Sequence, residues 1–410
     1  MKILFLHALA DPAAGGGAEE TLWTKMRALR DAGHECLLLA TADGGGLQRG
    51  EQEGITIWKA GIRNLYWPYH KARPHPALRA LWHAQDSYNP WMQGYIREVV
   101  QHEQPDVASL HNLPGWSAAA WRTLHRMRVP MVQVLHDYYP LCIKASMYRG
   151  GHNCSTQCMD CRALRLPHRD LSRLPTGVVG VSAFILERHR QFGYFEGVPI
   201  QRVIHNARDA AQLGVRSAVA APPHAGLRIG YIGRLDPAKG IEPLIAAFLQ
   251  ADMPNSELWI AGSGKQDYEQ HLRGLIRDSR IRLLGRQRPA EFYPQVDVVA
   301  VPSLWNDNLP GVVFEAFAFG KPVIGARRGG IPEMIRDGDN GWLVEPTDVA
   351  ALAALLRSLH ARPDMLIAAA QAASAASAPY TDLGAWVQRY EDLYREAISI
   401  QHDAPGDARP

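Results

Sequence analysis

Short apolar runs alternate with longer amphipathic stretches along this chain, in two successive series. The first series of strand-like runs is Lys2–His7, Glu35–Thr41, Ile55–Lys59, Asp106–Leu110, Met131–His136 and Gly177–Ser182. Amphipathic stretches such as Ala18–Asp31 and Gly115–Arg128 lie between them. The second series is Leu227–Gly233, Glu257–Ala261, Ile281–Leu284, Asp297–Val301 and Pro322–Gly325. Short apolar runs bounded by turn residues suit strands buried on both faces, as in a parallel sheet covered by helices. Alternation of the two element types predicts α/β architecture, here two doubly wound, Rossmann-like domains facing a cleft.

The stretch 206–226 is rich in Ala, carries a Pro pair and breaks the rhythm. It marks a boundary. A first domain is expected over 1–208, a linker over 209–226 and a second domain over 227–380. The Ala-rich segment 348–378 reads as helical. A last amphipathic helix, 381–400, is expected to cross back to the first domain, ahead of a disordered tail over 401–410. The chain has 410 residues, 47% hydrophobic and 21% charged, which excludes collagen, coiled coil and wholesale disorder. A net charge of +3 argues against nucleic acid as the main partner. No run reaches the roughly 18 apolar residues of a membrane-spanning helix. The opening MKILFLHALA is read as a buried strand rather than a signal peptide, and five cysteines, an odd count, do not suggest a secreted disulfide scaffold. The expected compartment is the cytoplasm.

Three places carry chemistry. Gly16 and Gly17 sit in a Gly-rich turn between the first strand and a helix, where backbone can approach an anion; an ordinary tight turn is the other reading. The second domain opens on LRIGYIG followed by RLDPAKG. This places Arg234 and Lys239 among glycines at the carboxyl end of a strand, where open α/β sheets bind ligands. An Arg fork and a Lys point charge suit a diphosphate, or they are solvated surface cations. The segment PSLWNDNLPGVVFEAFAFG holds Asp307 in a loop and Glu315 inside a helix. Such carboxylates accept hydroxyl hydrogen bonds from sugars, and Gly311 and Val312 offer amide donors at the helix start. A turn aspartate and a solvated helix glutamate would also fit.

Taken together, GYIGRLDPAKG, IAGSG (260–264) and PSLWNDNLPGVVFEAFAFGKPVIGARRGGIPEMI resemble retaining nucleotide-sugar glycosyltransferases of family 4, with the GT-B fold. GGAE (16–19), PDV (105–107), LHD (135–137) and VVGVS (178–182) extend the resemblance into the first half. It implies that Arg234 and Lys239 hold the donor diphosphate, that Glu315 binds the ribose and that Asp307 touches the sugar hydroxyls. It places His136 near the sugar and Gly16 and Gly17 over the donor. Gly233, Gly262, Asn308, Leu309, Gly311 and Val312 become donor-pocket wall, and Gly329, Gly330 and Glu333 match a further segment of it. The one departure is Asp307, where the family normally carries Glu. The implied reaction is retaining transfer from a nucleoside-diphosphate sugar to a hydroxyl of a surface glycan or lipid-linked saccharide, at the inner face of a membrane and without a catalytic metal. A non-catalytic nucleotide-sugar-binding subunit and a nucleotide-sugar epimerase are the rival readings. Asp337-Gly338-Asp339 is read as a structural turn.

Four cysteines, Cys142, Cys154, Cys158 and Cys161, fall within twenty residues. Four thiolates at such spacing suit a closed structural zinc site. Reduced thiols or a disulfide pair are the alternatives, and Cys36 reads as core. On the acceptor side, residues 62–95 interleave Tyr66, Trp67, Tyr69, Trp82, Tyr88 and Trp91 with Arg63, Lys71, Arg73 and Arg79. Aromatic faces can stack on sugars and cations can meet phosphate or anionic headgroups. An insertion packed by its own aromatic rings is the plainer reading.

Overall fold

The computed structural model describes residues 1–11, 16–70, 74–215 and 224–403. Lys71, Arg73, part of the expected linker and most of the expected tail lie outside them. The chain forms two compact units. One comprises Met1–Met147, Cys154–His205 and the chain from Gly384; the other comprises Tyr148–Asn153 and Asn206–Leu383.

The first unit is built on a sheet of β1 (Lys2–His7), β2 (Glu35–Ala42), β3 (Leu47–Gln52), β4 (Ile55–Gly61), β5 (Val107–Leu110), β6 (Met131–Leu135), β9 (Gly177–Gly180) and β10 (Ile200–Val203). A two-stranded hairpin, β7 (Tyr148–Arg149) and β8 (His152–Asn153), separates β6 from β9 in sequence. The spatial order is β10-β9-β6-β5-β1-β2-β4-β3. β1 lies in the interior, parallel to both β2 and β5, and Ile3, Leu4, Phe5 and Leu6 are fully buried there. That is why its sequence is apolar at successive positions rather than at alternate ones. β3 is the antiparallel edge, and from Gln48 to Gln52 it is exposed. Its polar sequence, LQRGEQ, has no apolar period to reveal it, and a polar edge resists pairing with other chains.

The second unit holds β11 (Arg228–Ile232), β12 (Glu257–Ala261), β13 (Ile281–Gly285), β14 (Val298–Val301), β15 (Val323–Ala326) and β16 (Gly341–Val344). Every pairing is parallel, in the order β13-β12-β11-β14-β15-β16. This is a doubly wound sheet whose order reverses between β11 and β14. Its core joins Ile229, Leu258, Ile260, Val298 and Ile324 to Leu244 and Phe248 of the helix Ile241–Ala251 and Leu352, Leu356 and Leu359 of Val349–Ala361. Asp337 sits in the turn before β16, where it accepts from Leu343 N–H (2.9 Å) and pairs with Arg327.

Three expected boundaries differ. Residues 206–208 belong to the second unit, because Arg208 N–H donates to Tyr380 O (2.8 Å) and its side chain is buried there. The hairpin Tyr148–Asn153 also belongs to the second unit, since Asn153 hydrogen-bonds Leu304 and Asn306. Finally, the last helix runs Leu383–Asp403, three residues into the stretch expected to be disordered.

From Gly384 on, that helix belongs to the first unit. It buries Trp386, Tyr390, Leu393, Tyr394 and Ala397, an i, i+4, i+7, i+8, i+11 stripe on one face. Burial of such large side chains contributes about 1.5–3 kcal/mol each. His34 Nε2 and Glu391 Oε1 add a 2.6 Å contact. Lys25 Nζ is fully buried 3.5 Å from the Tyr390 ring centroid, with no hydrogen-bond partner among the described residues. Burial therefore drives its pKa well below the ordinary lysine value. Folding therefore favours the neutral amine, and the cost of this group to the fold falls as pH rises towards 10.5. Lys25→Met should stabilise the protein at pH 7 by about 1–3 kcal/mol in urea unfolding, with the gain shrinking towards pH 10.5. A variant less stable than the parent at pH 7 contradicts the assignment.

Candidate functional site

In the second unit, the reversal of strand order opens a crevice at the carboxyl ends of β11 and β14. The loops leaving those strands are forced together there. Leu304 N–H donates to Ala238 O (2.8 Å). Gly240 has φ +74°, and a Cβ there would stand 1.9 Å from the carbonyl oxygen of Pro302. Gly262, after β12, has φ +138°, and its Cβ would meet the Gly233 carbonyl oxygen at 1.8 Å. Both positions exclude any side chain. Gly262 is thus a packing glycine at the crevice, seated on the Gly233 carbonyl.

This closeness brings Lys239 and Asp307 into an ion pair, although 68 positions separate them. Ser303 Oγ donates to the same Asp307 oxygen (3.4 Å), and the Trp305 ring centroid lies 5.2 Å from Lys239 Nζ. The Asp307 carbonyl accepts from Gly330 N–H (2.8 Å), so the Gly329-Gly330 pair holds the loop from behind. Asn153 clasps it from the hairpin: its Nδ2 donates to Leu304 O and its Oδ1 accepts from Asn306 N–H, both at 2.8 Å. Arg234 stands apart, 71% exposed, with its guanidinium 3.7 Å from Asp236. Asn308 and Leu309 are buried in the turn that leads to the helix Gly311–Ala318. That helix begins after Pro310, and the N–H groups of its first turn, Gly311 and Val312 among them, have no acceptor within the helix.

Glu315, one turn in, is buried and doubly held. Arg208 Nε donates to its Oε1 (3.1 Å) and Tyr293 Oη to its Oε2 (3.2 Å). A Cβ on Gly311 would meet Glu315 Oε1 at 2.9 Å and Arg208 Nη2 at 3.0 Å, so the helix start lies directly against this pair. Arg208 is the residue that sequence reasoning missed. It falls in the stretch read as boundary and linker, and nothing local signals a partner 107 positions away.

In the first unit, Gly16 caps the helix Gly17–Asp31, and its N–H donates to Glu19 Oε2 (2.6 Å). Asn112 N–H donates to His7 Nδ1 (3.3 Å), so His7 donates from Nε2 to Glu19 Oε1 (3.3 Å). Burial alone would raise the Glu19 carboxyl. The bond from His7 and the amides at the helix start outweigh burial and hold it at about 2. His136 belongs to a chain of hydrogen bonds. Tyr394 Oη donates to Ser109 Oγ (2.8 Å), Ser109 Oγ lies 3.1 Å from His111 Nε2, and His111 Nδ1 lies 2.8 Å from His136 Nε2. These contacts fix the ring orientations of His111 and His136. Burial pushes the His111 imidazole well below its ordinary pKa. His111 and His136 also line a small cavity with Gln133, Asp137 and Tyr139. His111 had no role in the sequence reading, because only β5 and β6 lying side by side bring it to His136.

The aromatic stretch largely packs on itself. Arg63 lies over Tyr95 (4.1 Å) and Trp82 Nε1 donates to Tyr66 O (3.0 Å). Leu65, Tyr69, Leu81 and Trp91 remain exposed. Cys142 and Cys161 are buried and Cys154 and Cys158 half-buried, and none of the four is in a disulfide; Cys36 is buried in β2.

Comparison with known proteins covers both halves. The model of the family described as Glycosyltransferase Family 4 matches residues 15–212, and that of Glycosyl transferases group 1 matches 226–362. An "uncharacterized 42.6 kDa protein in cps region" of Klebsiella pneumoniae is 25% identical over 84% of this chain and 90% of its own. The phosphatidyl-myo-inositol mannosyltransferase of Mycolicibacterium smegmatis is 25% identical over 83% of this chain and 80% of its own. Among solved structures, Anabaena HepE in complex with UDP superposes with a TM-score of 0.71 at 22% identity, over 96% of this chain and all of that one. The likeness establishes the GT-B fold.

Two predictions follow from the buried charges. Arg208→Ala and Glu315→Ala should each destabilise by about 3–5 kcal/mol, since each leaves a buried charge behind. The double variant should cost less than the sum by more than about 1 kcal/mol, and strict additivity in denaturant melts disproves the pairing. Glu19, with its folded pKa below 4.5, stabilises above that pH, and the contribution fades as pH falls towards 2. Glu19→Gln should therefore lose up to about 3 kcal/mol at pH 7 and converge with the parent near pH 2. Parallel stability curves across that range refute it.

Proposed function

The chain belongs to glycosyltransferase family 4, and from that premise we propose that it moves a sugar from a nucleoside-diphosphate donor to a hydroxyl of a lipid-linked or surface saccharide, with retention of configuration. The observation that carries this reading is the set of charges gathered at one end of the second sheet. Lys239 and Asp307 are paired in one loop cluster, and Glu315 is locked by Arg208 and Tyr293 beside the start of the helix Gly311–Ala318.

In this reading the donor's diphosphate takes the place of Asp307 as partner of Lys239. Arg234, exposed at the edge of the crevice, adds a planar fork. The first amides of the helix supply fixed dipoles to the charge that grows on the leaving group. Glu315 accepts from the ribose hydroxyls in an orientation already set by Arg208. Asp307, released from Lys239, accepts from hydroxyls of the transferred sugar. The family resemblance assigns His136, held by His111, to the sugar. The leaving diphosphate assists removal of the acceptor's proton, so no enzymic nucleophile and no divalent ion are required. The solved relative binds UDP, which makes uridine diphosphate sugars the first donors to test.

The acceptor is placed at the cytoplasmic face of a membrane. A relative of similar length acts on phosphatidyl-myo-inositol, a polyol carried by a lipid. Exposed Leu65, Tyr69, Leu81 and Trp91 suit shallow contact with such a surface. No helix among the described residues is long and apolar enough to cross a membrane.

Thermal melts with UDP-, GDP-, ADP- and TDP-sugars in chelator test the donor site. One nucleotide series should raise the melting point of the parent and leave Glu315→Ala and Lys239→Ala unmoved. If no series shifts the folded parent, the donor site is wrongly assigned.

A further inference from the structure

Cys142, Cys154, Cys158 and Cys161 take no part in the donor chemistry. Sequence spacing leaves three fates open to them: separate thiols, a disulfide or a metal. The structure places three of the four in contact. The Cys142 thiol is hydrogen-bonded to that of Cys161, and Cys161 also meets Cys158. Cys158, the residue before the helix Met159–Leu164, and Cys161 within it have their sulfurs within 4.8 Å of one another, with the Asp160 carboxylate in the same group.

The backbone around these sulfurs is shaped for negative charge. After Cys142 the chain folds back so that the N–H groups of Lys144, Ser146 and Met147 point at the Cys142 sulfur, while that of Ile143 points at Cys161. A neutral thiol is a weak acceptor, and four amides aimed at two of them gain little. A metal-bound thiolate is a strong acceptor, and such amides orient it and spread its charge. The turn is also strained. Ala145 (φ +55°) and Met147 (φ +47°) are both left-handed without being glycine, a conformation that persists only where the surroundings impose it. Met147 links the cluster to the fourth cysteine: its N–H faces Cys142, and its carbonyl accepts from Cys154 N–H (2.7 Å).

The segment also needs a staple. Its hairpin strands are two residues each, too short to stand alone in water. Beside it, Met159 is 89% exposed.

We propose that Cys142, Cys154, Cys158 and Cys161 bind one structural zinc ion as four thiolates, closing the base of the hairpin Tyr148–Asn153. Each thiol gives up its proton to solvent on binding, and no oxidant is involved. Four protein ligands leave no open position, so the ion takes no part in transfer. The reading is independent of the donor site, and either can fail without the other.

The test uses the full chain, purified without affinity metal and dialysed against a weak chelator. Elemental analysis should find one zinc per chain. Titration with a mercurial should release it as four thiols react, with Cys36 accounted for separately. Cobalt in place of zinc should give the intense thiolate charge-transfer band of a tetrahedral sulfur site. Cys158→Ser and Cys161→Ser should lose the metal, Cys154→Ser should weaken it, and Cys36→Ser and Asp160→Asn should retain it. If the serine variants do not fold, the zinc content and cobalt spectrum of the parent still decide. Less than half an equivalent of zinc after refolding with zinc present overturns the proposal. So does a mass two hydrogens short, the mark of a disulfide, or full metal in Cys158→Ser.

Discussion

Backbone approaching backbone at the carboxyl ends of β11, β12 and β14 is the constraint on which the second unit depends. A Cβ at Gly240 or Gly262 would stand within 2 Å of a carbonyl oxygen of the neighbouring loop. Because those positions carry none, the loops close on one another, and Lys239 reaches Asp307. The parallel sheet makes this productive. Every strand ends on the same side, so residues far apart in sequence emerge at one place, and the reversal of strand order leaves room between them.

Buried polar groups then fix what the glycines allow. Glu315 is held by Arg208 and Tyr293, and Asp307 by Lys239, Ser303 and the hairpin's grip on its loop. In the first unit, Tyr394, Ser109 and His111 form a hydrogen-bonded chain that reaches His136, and His7 with Gly16 holds the charge of Glu19. Arg208, Tyr293, Ser303 and His111, none of them a site candidate from the sequence, orient Glu315, Asp307 and His136. Such partners hold a side chain in one rotamer and one protonation state before a ligand arrives, which lowers the ordering cost of binding.

The sequence was a good guide wherever burial was two-sided. β1, β2, β4, β12 and β15 declare themselves as apolar runs, and the structure moves their ends by two residues or fewer. It was a poor guide to β3, which is polar, and to β10, where only Ile200 is buried. The boundary near 208 was misplaced for a related reason. Composition shows where a helix or strand stops, but the allegiance of Asn206–Arg208 is decided by a bond to Tyr380 and an ion pair to Glu315.

What the sequence determined by itself is the alternating α/β architecture, the family, and the positions of Arg234, Lys239, Asp307, Glu315 and the four cysteines. Local order of residue types carries these, because period, glycine placement and motif spacing are properties of neighbouring residues. What only the tertiary structure decided is partnership: Arg208 with Glu315, Lys239 with Asp307, His111 with His136, and Cys142 with Cys161. Most of these pairs join residues on separate elements, and the longest, Arg208 with Glu315, spans 107 positions. Their energy depends on distance and burial, which exist only once the sheets have formed.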